Sequence, residues 1–294
     1  MIDPVIFSID IGNIHLAFRW YGLLIAIGVF VGGWVTEKEI TRRGGKAETV
    51  WDALLWVLPS AVIGSRIWYV LNDILGGGRT YIENPGRIIR IQEGGLHIFG
   101  GIVFGLLAAY LFARKNKVDL LLLMDAVAPG LLIGQAVARP ANFINQELYG
   151  PPTDLPWGIP ILPENRIPPW NNLDRYPVET TRFHPTFAYE MIWNFLTAGL
   201  LLWLVRRYED KIKPGTAFAG WLVAAGVGRV IIEAFRPDQP RIPGTALSYS
   251  RLIAGLMALA GILWLLIRYE VIEIPLLPSG PEDYRFPSKK RSKR

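Results

Sequence analysis

The stretch LIAGLMALAGILWLLI, Leu252–Ile267, runs sixteen residues without a charged side chain, and IFGGIVFGLLAAYLF, Ile98–Phe112, does the same over fifteen. A helix rises so little per residue that about 20 apolar residues are needed to cross roughly 30 Å of hydrocarbon. With their flanks, both runs reach that length. Working outward, five further stretches of similar character bring the reading to seven spans, at about residues 19–37, 50–72, 95–113, 119–139, 187–205, 217–235 and 248–267. The expected fold is all-α, a polytopic membrane bundle of seven transmembrane helices.

Composition supports that class, with 51% hydrophobic and only 19% charged residues. A soluble chain would disperse its apolar residues at helical or strand spacing, whereas here they gather in runs. The net charge of +6 sits in loops and in the C-terminal SKKRSKR, so membrane topology explains it better than a nucleic-acid partner. Lys38, Arg42, Arg43 and Lys46 follow the first span, Arg114, Lys115 and Lys117 the third, and Arg206, Arg207, Lys211 and Lys213 the fifth. Short basic loops mark the cytoplasmic side, which places the N-terminus outside and the C-terminus in the cytoplasm. The N-terminal MIDPVIFSIDIGNIHLAFRWYG carries two aspartates and no basic leader, so it does not read as a removable signal peptide. Residues 1–275 are expected to form one integral membrane catalytic domain, and 276–294 a basic cytoplasmic tail without fixed structure that can meet anionic membrane lipids.

The chain has no cysteine, so any thiol in its chemistry belongs to another molecule. Its three histidines, His15, His97 and His184, form no HxxxH or HExxH pattern, and neither a metal nor an organic cofactor is expected. The connection from about 146 to 183 is too long and proline-rich for a span. A loop of that length is usually functional or ordered against something.

Polar residues inside the spans are the informative anomaly. ARPANFINQELYG (138–150) places Arg139, Asn142, Asn145, Glu147 and Gly150 at the end of span four. An arginine in hydrocarbon costs from about 2.5 to more than 10 kcal/mol. Arg139 and Asn142, three apart, share a helix face unless Pro140 interrupts it. In WLVAAGVGRVIIEAFRPD (221–238), Arg229 and Glu233 are one turn apart. Such a pair can simply neutralise itself. Two arginines on different spans can instead share a phosphodiester, whose oxygens suit the planar guanidinium fork. Arg19 and Tyr21 open span one as interfacial anchors, Arg66 ends span two, His97 stands among glycines, and His184 precedes span five.

Taken together these residues resemble the prolipoprotein diacylglyceryl transferase family from about residue 16 to 268. The signature RxxNFxNxE with a following aromatic and Gly is met by Arg139, Asn142, Phe143, Asn145, Glu147, Tyr149 and Gly150. RWYG at 19–22, the double-glycine segment at 94–101, HPTxxYE at 184–190, and Arg229, Glu233, Phe235 and Arg236 support it. The resemblance implies transfer of the diacylglyceryl group of phosphatidylglycerol to a lipobox cysteine of a prolipoprotein, in the bacterial inner membrane and without a cofactor. It also implies that Arg139 and Arg229 meet the phosphate, that Asn142, Asn145, Glu147, Gly150, Tyr21 and Glu233 bind or orient phosphatidylglycerol, and that Glu147 and Glu233 fix the two arginines. Phe99 stands where the family has its histidine, so His97 serves as the base only if the glycines unwind the segment. Ala225, Gln146 and Arg251 replace the expected Tyr, Gly and Gln. The competing reading is a transporter or channel with an arginine-based anion site, which would need a polar path to the opposite side.

Overall fold

A computed structural model describes residues 2–12, 14–236, 239–273 and 283–286. The chain opens with a hairpin, β1 (Val5–Ile11) and β2 (Ile14–Arg19), followed by α1 (Trp20–Arg42), α2 (Glu48–Leu75), α3 (Thr80–Glu83), α4 (Ile98–Asn116), α5 (Leu120–Ala138), α6 (Pro140–Ile144), α7 (Thr186–Arg207), α8 (Thr216–Ile232) and α9 (Tyr249–Arg268). Among the described residues, seven helices, counting α5 and α6 as one, are long and apolar enough to cross a membrane, and each overlaps an expected span. The expected all-α, multi-pass character is therefore present. Most of the expected basic tail, which begins at 276, lies outside the described residues.

The antiparallel hairpin before α1 was not singled out by the sequence reading. Phe7 pairs with Phe18 across the strands, and their rings stack at 4.5 Å. Gly12, at φ +59°, lies where the chain turns back.

Chain packing divides the molecule into two compact units, residues 1–36 with 124–284, and residues 37–123 with 285–294. In the first, α1 and α5 approach through glycine. A Cβ at Gly28 would fall 2.5 Å from the Gly134 carbonyl oxygen, and one at Gly32 2.6 Å from that of Gly130. Lipid supplies no hydrophobic drive between helices, so close backbone approach is how such spans adhere. In the second unit α2 crosses α4 in the same way, at Gly64 and Gly100.

Asp125, fully buried on α5, caps the start of α8. Its Oδ2 accepts the Gly215 N–H and its Oδ1 the Phe218 N–H, both at 2.8 Å. These are two of the amides that a helix start leaves without intrahelical partners. Asp125→Ala is expected to lose about 1–2 kcal/mol of stability, as cap removal does. Asp125→Asn, which keeps one acceptor, should lose less. Thermal midpoints in detergent check both.

Candidate functional site

Pro140 ends α5 at Ala138 and restarts the chain as the five-residue α6, with Arg139 at the joint. Left-handed Gln146 and Leu148, at φ +52° and +56°, then fold the chain back. That reversal brings Glu147 over the end of α6, where its Oε1 accepts the side-chain amides of Asn142 at 2.8 Å and Asn145 at 3.4 Å. The other end of the Asn142 amide, Oδ1, accepts Arg139 Nη1 at 3.4 Å. Asn142 thus links an arginine to a carboxylate that does not touch it.

The acid paired with Arg139 is Glu190 on α7, through Nη2. This corrects the expectation that Glu147 would fix Arg139. The signature fold-back turns Glu147 toward the two asparagines, and Glu190, 51 residues after Arg139, occupies the arginine's face. Arg139 Nε is buried and has no hydrogen-bond partner among the described residues.

Arg229 and Glu233 pair as the spacing anticipates, Nε to Oε2 at 3.3 Å. Sequence reasoning missed the frame around them. Arg229 Nε also donates to Ser250 Oγ at 2.8 Å, and Nη2 donates to Gln239 Oε1 at 3.1 Å. Ser248 caps α9 by accepting the Arg251 N–H, and its hydroxyl donates to Glu233 Oε1 at 2.6 Å. The start of α9 therefore holds both members of the pair. Charges acting on Arg229 include Arg236, Glu233, Glu190 and Arg139, so the two ion pairs lie within electrostatic reach. Both guanidinium side chains remain partly open, at 22% for Arg139 and 27% for Arg229, which leaves room for an anion to meet them.

The long connection is ordered around its own core of Tyr149, Ile161, Trp170 and Phe183. Tyr149 donates its hydroxyl to the Asn165 carbonyl and accepts the Ile167 N–H. It is fastened beside Glu190 by a chain in which Trp157 Nε1 donates to Tyr189 Oη at 2.8 Å, and Tyr189 Oη lies 3.0 Å from His184 Nδ1. Burial holds the His184 imidazole below its ordinary range, which favours the neutral ring that can accept the tyrosine proton. Gly150 is pressed between the turn that follows α8 and the segment that leads into α7, since a Cβ there would lie 2.8 Å from the Phe235 carbonyl oxygen and 3.0 Å from His184 Cβ. Tyr21 stands in the first turn of α1, 41% exposed.

Residues 4–267 match the family model described as prolipoprotein diacylglyceryl transferase. The chain belongs to this family. It is 36% identical, over 94% of each chain, to a protein of Trichormus variabilis named phosphatidylglycerol–prolipoprotein diacylglyceryl transferase. Proteins of the same name from Chloroflexus aggregans, 35% identical over 80% of this chain and 78% of the relative, and Bifidobacterium adolescentis, 39% over 80% and 70%, are also similar. In this family member the signature residues Arg139, Asn142, Asn145 and Glu147 close into one hydrogen-bonded group in the first unit.

His97 lies in the second unit. Gly94 and Gly95, at φ +86° and +78°, keep the approach to α4 unwound, and the helix begins only at Ile98. His97 is extended and caps the helix, its Nδ1 accepting the Phe99 N–H at 3.4 Å. The two positions are therefore not fixed on opposite faces of one helix. Arg66 is a clamp for the same segment. Its guanidinium donates to the carbonyls of Arg87, Ile88, Arg90, Gly94 and Gly95, and it touches no carboxylate among the described residues.

Proposed function

We propose that this protein transfers the diacylglyceryl group of phosphatidylglycerol to the thiol of a lipobox cysteine in a prolipoprotein. A sulfur–carbon bond forms at the glyceryl carbon, the carbon–oxygen bond to phosphate breaks, and glycerol phosphate leaves with the electron pair. The thiol gives up its proton, because the thiolate is the nucleophile.

One observation carries the reading: two arginines from different spans, each held by its own glutamate, lie within electrostatic reach of each other and stay partly open. The leaving phosphate gains negative charge as the carbon–oxygen bond breaks, and fixed donors already aimed at that charge lower the barrier without reorganising. Arg139 and Arg229 take that role, with Asn142 orienting Arg139 and Glu233 orienting Arg229. Asn145, Glu147, Gly150 and Tyr21 complete the headgroup contacts by family resemblance. His97 is the proposed base. Its Nδ1 faces a helix amide at the long limit of hydrogen bonding, a cap weak enough to give up.

The basic loops support an N-terminus outside and a C-terminus in the cytoplasm of the bacterial inner membrane, with residues 1–275 acting as one catalytic domain. The test is to incubate the purified protein in detergent with phosphatidylglycerol and lipobox peptides carrying Cys or Ser at the acceptor. The Cys peptide is expected to gain the mass of one diacylglyceryl unit, and the Ser peptide none. A folded protein that leaves the Cys peptide unchanged would refute the activity, and His97→Ala with unchanged turnover would remove that residue as the base.

A further inference from the structure

The α4–α5 connection forms a crevice of about 280 Å³ lined by Tyr110, Ala113, Arg114, Lys117, Val118 and Leu120, wholly within the second unit. Its floor is apolar and its rim carries two cations. Arg114 is braced over the Tyr110 ring, 5.9 Å from the centroid, and neither Arg114 nor Lys117 pairs with a carboxylate among the described residues. Neighbouring charges are already committed. Lys115 sits over the Trp56 ring at 4.8 Å, and Asp119 Oδ1 accepts the Leu122 N–H at 3.0 Å.

The depth of the crevice narrows what can fill it. Helix α4 ends at Asn116 and α5 starts at Leu120, so the crevice opens where two spans leave the hydrocarbon. That is the level of lipid headgroups, where phosphate oxygens and the first carbons of acyl chains lie side by side. A rim of two cations over an apolar floor matches that order of groups. The geometry points to a binding site for the phosphate of an anionic phospholipid at Arg114 and Lys117, with its glyceryl and upper acyl carbons on Ala113, Val118 and Leu120. The site shares no residue with the Arg139 cluster and needs no catalytic step. With the orientation proposed above, it faces the cytoplasmic leaflet.

The full chain, purified in non-ionic detergent, is titrated with phosphatidic acid, phosphatidylcholine or inorganic phosphate, and bound lipids are counted by native mass spectrometry. Each cation near a lipid surface contributes roughly a five-fold factor in affinity, so R114Q/K117Q is expected to hold one phosphatidic acid about 30-fold more weakly than wild type. V118W, which fills the crevice without changing charge, should lose the same lipid, whereas R114K/K117R should keep it. Phosphatidylcholine counts should not change, and inorganic phosphate at equal concentration should not compete. Equal phosphatidic acid binding by wild type, R114Q/K117Q and V118W would overturn the site, and full competition by inorganic phosphate would overturn its assignment to lipid. Transfer to the lipobox peptide is expected to be unchanged in R114Q/K117Q, so this result and the activity stand or fall separately.

Discussion

Arg139→Lys is expected to lower turnover about 100- to 1000-fold while leaving the fold intact, the range seen when one fixed donor to a developing anion is lost. The substitution keeps the charge and removes the fork. Arg139 spreads three donor directions: Nη2 meets Glu190, Nη1 meets Asn142 at 3.4 Å, and buried Nε has no partner among the described residues. A lysine ammonium follows the strongest of these, the Glu190 carboxylate, and has no rigid plane left to present to a phosphate. The loss corresponds to about 3–4 kcal/mol of transition-state stabilisation. Single-turnover rates with phosphatidylglycerol and the Cys peptide measure it, with an unchanged thermal midpoint as the control for folding. Full activity in Arg139→Lys would mean that charge alone suffices and that no bidentate contact is made.

The sequence shows which residues do not belong in lipid, but not which of them meet. Arg229 and Glu233 are one helical turn apart, so their pairing follows from the period of the helix, and the structure has it. Arg139 is different. Its acid is on another span, and Glu147 was the nearer candidate along the chain until two left-handed residues turned it toward the asparagines. HPTxxYE carried the missing signal. In that motif Tyr189 takes the loop through Trp157 while Glu190, the next residue, takes Arg139. A glutamate beginning an apolar span needs a partner for the same reason that an arginine ending one does. Ser248 and Ser250 gave less warning, because hydroxyls at a helix start read as ordinary caps. Only the fold shows that the same hydroxyls hold Glu233 and Arg229.

Hydropathy located the spans because lipid imposes a single requirement on every one of them, enough apolar length with the backbone satisfied internally. The N-terminal hairpin lies in plain view as alternating apolar residues around Gly12-Asn13, yet it runs directly into Trp20, and its two aspartates and missing basic leader speak only against a removable signal peptide. The long connection shows the opposite case. Its prolines exclude a span, but nothing in its order of residues announces that Tyr149, Ile161, Trp170 and Phe183 close into a core. Contacts between residues so distant in the chain have no period to betray them.

Arg66→Met is expected to destabilise the protein by about 3 kcal/mol or more, because hydrogen bonds from a charged donor are worth about 1.5–3 kcal/mol each and several are lost together. Nε donates to Ile88 at 2.8 Å, Nη1 to Gly94 at 2.6 Å and Gly95 at 2.9 Å, and Nη2 to Arg87 at 2.6 Å and Arg90 at 3.4 Å. The rings of Tyr81 and Tyr69 add cation–π contact at 5.3 and 5.9 Å. Methionine keeps the apolar stem and removes every donor, leaving these carbonyls to water or to nothing. His97, the proposed base, stands two residues after Gly95, the last residue held by the clamp, and its backbone N–H donates to the Ser65 carbonyl at 3.0 Å. Hydrogen exchange across 85–97 should therefore rise in the variant together with the fall in thermal midpoint, while exchange in α7 to α9 stays near wild type. Arg66→Lys, with three donors and no plane, should recover part of the loss. Unchanged exchange and an unchanged midpoint in Arg66→Met would show that the segment holds itself, and that this buried cation is there for something other than its carbonyls.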